Sequence, residues 1–200
     1  MLVVNQDHNQ RHAASKPQRP GFRSYKTPQP IAYLQRWHRD ILVQLTLDPN
    51  ALRIEQGPGT RATEVFDLLV TTTGGVIRIF AFRDDIEAPS LPPGGNCISL
   101  KRSSVLKEPR AANARAIWSM RKKIVSPADR LRVLLRLGDH PGGLPISDLL
   151  TCVLGPSTEP AEAILALACE GLVALSLDCP LVPDTTVRLC HPELQTDRSV

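Results

Sequence analysis

The chain has 200 residues, 42% hydrophobic and 22% charged, the composition of one ordinary globular domain or two small ones. No apolar run approaches the ~20 residues of a membrane-spanning helix. The five cysteines, Cys97, Cys152, Cys169, Cys179 and Cys190, include no Cys-x-x-Cys pair, which argues against a zinc site and against a disulfide framework. Residues 1–5 are too short an apolar stretch for a secretory signal, so reduced thiols in a cytoplasmic protein are expected. The net charge of +4 is mild, but its distribution is uneven. Bases dominate the first forty residues, with Arg11, Lys16, Arg19, Arg23, Lys26, Arg36 and Arg39, and they dominate 101–136 again. Beyond Asp139 the sign reverses. Such asymmetry suggests that one part meets a polyanion, the plainer account being solvated surface charge.

In chain order, residues 1–20 read as a flexible basic arm. Gly21 to Lys26 adds Phe22 and Tyr25 among bases. A helix is expected over 31–47, with Ile31, Leu34, Ile41, Leu42 and Leu45 on one face, Pro30 at its first turn and Asp48-Pro49 ending it. His38 borders that face, where a histidine serves either as a satisfied core residue or as a ligand or catalyst. A short strand over 52–54 and a Gly57-Pro58-Gly59 turn follow. Residues 64–72 and 76–82 then read as two strands joined by Thr73-Gly74-Gly75. Asp67 interrupts the first of these. A carboxylate in a buried strand needs a partner or a cation, so it is either a metal ligand or a hydrogen-bonded structural acid. Arg83-Asp84-Asp85 closes the second strand, and 88–96 reads as a Pro- and Gly-rich loop.

Residues 101–125 read as a basic linker carrying a helix over 108–124. Lys101, Arg102, Lys107, Arg115, Arg121, Lys122 and Lys123 are its candidate nucleic-acid contacts. Residues 126–192 read as an α+β winged helix-turn-helix domain, with 193–200 as a tail. Ser126-Pro127 starts its first helix, which runs to Leu137. A second is expected over 148–154 and a third over 159–170, capped by Ser157 or Thr158, before a wing of 172–177 and 186–189. The third helix offers Glu159, Glu162 and Glu170 with no base. Phosphates would be repelled there, which puts protein docking ahead of DNA reading for this unit.

Four stretches carry a resemblance to the TnsA family, the endonuclease subunit of heteromeric transposases. Phe22-Arg23-Ser24-Tyr25-Lys26 is similar to the family's F-x-S-x-K lead-in, and Tyr33 to Leu42 to its first catalytic helix. Leu47-Asp48-Pro49-Asn50-Ala51 through Glu55-Gln56 resembles its L-D-P-x-V-x-x-x-x-E-Q-P segment. Phe66-Asp67 and Ala81-Phe82-Arg83 resemble P-D-F and E-V-K. Gly171-Leu172-Val173, Pro180-Leu181 and Thr185-Thr186-Val187 resemble its ending, so the match runs from Gly21 to Leu189.

The resemblance implies an α/β restriction-endonuclease-like core over 21–100, a mixed sheet with flanking helices, followed by the winged-helix unit. It also implies magnesium as cofactor, and DNA with a transposase or an ATPase regulator as partners. In the family a helix Glu, the strand Asp and the Glu of E-V-K collect the ion, and the Lys positions water. Here the helix positions are Leu34 and His38, Ala81 replaces the second Glu, and Arg83 replaces Lys. Asp67 alone matches, and arginine cannot act as a base near neutrality. Three readings follow. One is a TnsA-like protein with weakened or lost cleavage. Another is an active endonuclease using His38, Asp67 and Asp84 or Asp85 with Arg83, the metal on Asp67 and Asp84, which needs a bulge because a one-residue slip reverses the inward face. The third is a winged-helix DNA-binding regulator.

Overall fold

A computed structural model describes residues 21–59, 65–91, 95–156 and 158–190. The expected arm, the tail and Ser157 lie outside the described residues. The protein is mixed α/β, with a four-stranded mixed sheet, a separate three-stranded sheet and flanking helices. No helix among the described residues is long and apolar enough to cross a membrane.

Helix α1 spans Arg36–Leu47, five residues later than the apolar periodicity suggested. Ile31 instead pairs with Phe22 through two backbone hydrogen bonds, of 2.8 and 3.0 Å. Pro28 and Pro30 favour this extended path, because the residue before a proline avoids helical geometry. Leu34, counted on the buried face by its spacing, is 85% exposed. The lead-in is pinned to the far end of α1. Tyr25 donates to the Thr46 carbonyl at 3.0 Å, and the Lys26 ammonium donates to the Asp48 carbonyl at 2.5 Å. Burial lowers the Lys26 pKa to about 8.

Strands β1 (Ala51–Gln56), β2 (Phe66–Thr72), β3 (Gly75–Phe82) and β4 (Cys97–Lys101) form one sheet in sequence order. β1, β2 and β3 are antiparallel neighbours, and β4 runs parallel to β3. The turn between β2 and β3 is tight. Gly75 stands at φ +114°, a conformation that favours glycine, and the Thr72 hydroxyl accepts from the Gly74 amide. β4 was not expected. It has five residues, and its Cys-Ile-Ser-Leu alternation is too brief to stand out from the preceding loop.

Register divides the sheet's side chains between two faces, because successive strand residues point to opposite sides. Phe66 lies opposite Ala81, and Leu68 opposite Ile79. That face packs under α1, with Ile41, Leu42, Ile54, Leu68 and Val70 in the core. Asp67 lies opposite Phe80, and Leu69 opposite Arg78, on the other face.

The expected linker is part of the core. Short helix α2 (Arg102–Val105) leads to α3 (Arg110–Ser119), which ends in a 3-10 turn over Met120–Lys122. α3 buries Ala111, Asn113, Ala114, Ile117 and Trp118, and Trp118 stacks on Phe22 at 5.3 Å between centroids. The Asn113 amide donates to the carbonyls of Leu177 and Cys179 at 2.8 and 2.6 Å, fastening α3 to the loop over 176–179.

Helix α4 (Pro127–Gly138) begins as its sequence dictates, with Ser126 accepting from the Asp129 amide and Pro127 in the first turn. It is followed by β5 (Leu144–Pro145), short α5 (Ile146–Leu149) with a 3-10 turn, α6 (Pro160–Cys169), β6 (Val173–Leu175) and β7 (Thr186–Leu189). These strands form an antiparallel sheet in the order β5-β7-β6. The α6 N-cap is Glu159, with no side-chain cap bond, rather than Thr158.

Candidate nucleic-acid interface

Asp67 is 1% exposed, and its carboxylate is occupied. Arg78 grips it with two bonds, Nε to Oδ1 at 3.0 Å and Nη2 to Oδ2 at 2.8 Å. The Gly59 amide donates to Oδ2 at 2.9 Å, and the Gly57 amide donates to the Asp67 carbonyl at 2.9 Å. A Cβ at Gly57 would stand 2.2 Å from the carboxyl carbon, so the Gly-Pro-Gly turn is shaped to receive this acid. Of the two accounts open from sequence, the geometry matches the hydrogen-bonded structural acid. Arg78 reaches Asp67 diagonally across the hairpin, two residues from the direct partner Phe80. That diagonal is the signal that sequence reasoning missed.

His38 stands on the opposite face. Its ring stacks on Phe66 at 4.4 Å with an interplanar angle of 1°, and meets Trp37 edge-on at 4.3 Å. It is 5% exposed, and neither ring nitrogen has a hydrogen-bond partner among the described residues. Burial drives its pKa down to about 4, so the ring is neutral at physiological pH. The alternation of β2 therefore separates His38 from Asp67 by the thickness of the sheet. Phe66, not Asp67, shares the α1-facing side with His38 and Ala81.

The other expected residues are dispersed. Arg83 turns to Asp85, with bonds of 2.9 and 2.5 Å. Asp84 accepts from the Ser103 hydroxyl and amide, which hold its pKa below the usual carboxylate range with help from Lys101 and Arg102. β3 pairs with β2 without a bulge, so the register slip that the altered site required does not occur. Among the described residues, no three His, Cys, Asp or Glu side chains converge as a metal site. The proposed donors do not fit a magnesium ion. Asp67 already faces a guanidinium, and His38 offers its nitrogens only to an aromatic surround.

The basic residues divide into two groups. Lys123 pairs with Glu162 at 2.6 Å, and Arg121 lies over the Trp118 ring at 5.6 Å. Arg102 and Arg115 instead converge with Arg36, Gln35, Trp37, Asp40 and Leu106 around a cleft of about 530 Å³. Asp40, 7% exposed, accepts two bonds from Arg115, each of 3.0 Å, which fixes that guanidinium's plane. The side chains of Arg36 and Arg102 form no ion pair or hydrogen bond among the described residues. Lys101, Lys107 and Lys122 are exposed and do not line the cleft. Sequence reasoning placed Arg36 in the basic N-terminal stretch without joining it to Arg102. Those residues meet only through packing of α1 against α2 and α3.

Comparison with protein-family models, with curated proteins and with solved structures finds no match. The TnsA likeness accordingly rests on the residue patterns alone.

Proposed function

We propose that this protein is a TnsA-like subunit of a DNA transposition complex that contacts DNA and protein but does not cut. The observation that carries the proposal is the capture of Asp67 by Arg78 on the sheet face away from His38. A metal-dependent nuclease needs several hard oxygen ligands around one ion, and the α1-facing side carries Phe66 and Ala81 instead. The restriction-endonuclease-like part of the reading is supported by a helix ahead of three antiparallel strands and a parallel fourth. The winged-helix part is supported by the helix–strand–helix–helix–strand–strand order after Ser126.

DNA contact belongs to Arg36, Arg102 and Arg115 in the cleft, with Lys101, Lys107 and Lys122 nearby in sequence. Helix α6 is a poor groove reader, since six of its ten residues are buried: Ala163, Ile164, Ala166, Leu167, Ala168 and Cys169. Protein docking fits the second unit better. Leu131 and Leu135, one turn apart on α4, are 57% and 56% exposed. A transposase or its ATPase regulator is the partner this reading assigns to that side.

A plasmid-nicking assay with magnesium or manganese, run beside gel retardation at low salt, tests the proposal. Retardation without nicking is the expected result. Robust cutting that disappears in Asp67→Ala would overturn it.

A further inference from the structure

We infer that Asp40 is a positioning residue for DNA contact: it turns the Arg115 guanidinium so that its outer edge is offered to a backbone phosphate. The inference rests on the DNA-contact reading and names the residue that orients one of its donors. Asp40 stands on α1 and Arg115 on α3, so the pair exists only because the two helices pack together. Both line the cleft, but the Asp40 side chain is 9% exposed and that of Arg115 is 47% exposed. The carboxylate is set into the wall, and the guanidinium reaches solvent. A nearly buried carboxylate is costly without a partner, which keeps Arg115 in place.

An arginine side chain carries five N–H donors in one rigid plane, and its edges each fit a pair of oxygens. Asp40 takes one edge, with Oδ1 accepting from Nε and Oδ2 from Nη2, each at 3.0 Å. Nη1 and the second hydrogen of Nη2 remain on the other edge, and phosphate is bound by such a fork. Holding the plane in advance matters because a long side chain otherwise gives up its freedom on binding. Neighbouring acids temper the charge of the cleft. Glu108 lies 3.8 Å from Arg115 Nη1, beyond hydrogen-bond reach, and its other oxygen accepts from the Ala112 amide at 2.8 Å. Asp84 accepts from Ser103, next to Arg102. The direction of the N–H groups, not a charge surplus, therefore carries the contact. By its own charge Asp40 repels phosphate, so it can favour binding only through Arg115.

The test uses the full chain, a short DNA duplex and fluorescence anisotropy at low salt, with urea midpoints to follow the fold. Asp40→Asn removes one negative charge, so an effect through the overall field alone would tighten binding. The expected result is the opposite, a loss of about fivefold, the effect of leaving one long side chain to be ordered on binding. In an Arg115→Ala background the same substitution should not weaken binding, because no guanidinium is left to orient. Arg115→Lys keeps the charge and the pairing with Asp40, and with them the tie between α1 and α3. Its ammonium has no second edge, so affinity should fall by a similar factor while the midpoint changes little. Asp40→Asn that binds as tightly as the unaltered chain, or more tightly, overturns the positioning role and leaves DNA contact standing. Weakening that persists without Arg115 overturns the route through that side chain. Full affinity in Arg115→Lys overturns the inference even if Asp40→Asn fails to fold. An unaltered chain that binds no duplex overturns the DNA-contact reading and this inference together.

Discussion

Around the four-stranded sheet, Asp67, Asp85 and Asp40 hold Arg78, Arg83 and Arg115, while the side chains of Arg36 and Arg102 form no ion pair among the described residues. Around the three-stranded sheet, charge is consumed locally. Glu162 holds Lys123, Glu170 holds Arg130 at 2.7 Å, and Asp129 gathers Ser126, Arg132 and the amides of Leu154 and Gly155. Glu162 and Glu170 are thus tied to neighbouring bases, while Glu159 forms no ion pair among the described residues. A region that satisfies its own charges is a scaffold. A region that leaves several like charges around a cleft carries an electrostatic cost that an anion would relieve. The bases without an ion pair thus include Arg36 and Arg102 near the start of α1, although 121–123 is the densest run of bases in the sequence.

Removing Arg78 should break the contrast most severely. Arg78→Ala leaves the nearly buried Asp67 carboxylate without its guanidinium, at a cost of about 3 kcal/mol. Urea unfolding measures it, and the double variant Arg78→Leu with Asp67→Leu should recover most of the loss. An unchanged midpoint for Arg78→Ala would mean that the pair does not hold the hairpin.

Acid should separate the two regions. The folded His38 pKa of about 4 lies below its unfolded value of 6.5. Its contribution is therefore complete above pH 6.5 and is lost as pH falls toward 4, a loss of about 2 to 3 kcal/mol. Trp37, in contact with the ring, reports this step by fluorescence, and His38→Phe should abolish it. The Asp129 carboxylate in the second unit is held down to about 2, first by the Leu154 amide and then by Ser126. Its contribution survives until pH falls below 3.8 and fades toward 2. A single transition with no His38-dependent step would erase the distinction.

In DNA binding, Arg102→Ala should reduce the slope of log K against log salt by about 1, as expected for one lost phosphate contact. Lys123→Ala should leave the slope nearly unchanged, because that ammonium already faces Glu162. Its effect on stability should be the smallest of the set, about 0.5 kcal/mol, since both partners are partly exposed. Equal slopes for the two variants would remove the distinction between free and consumed bases.

Local features were legible in the sequence. Ser126-Pro127 starts α4, Asp48-Pro49 ends α1, and Thr73-Gly74-Gly75 turns the hairpin, each through backbone preferences that act within a few residues. The start of α1 was not legible, because the pairing of Ile31 with Phe22 overrides the apolar period. Nor was the burial of α3, whose bases suggested an exposed linker while Ala111, Ala114 and Trp118 entered the core.

Sequence alone determined that Asp67 needs a partner, since a buried carboxylate is costly wherever it lies. Only the tertiary structure decided that Arg78 is that partner and that His38 lies across the sheet. Torsional preference and side-chain period are properties of neighbouring residues. Which side of a strand meets a distant helix depends on register and packing, and these bring together residues far apart in the chain.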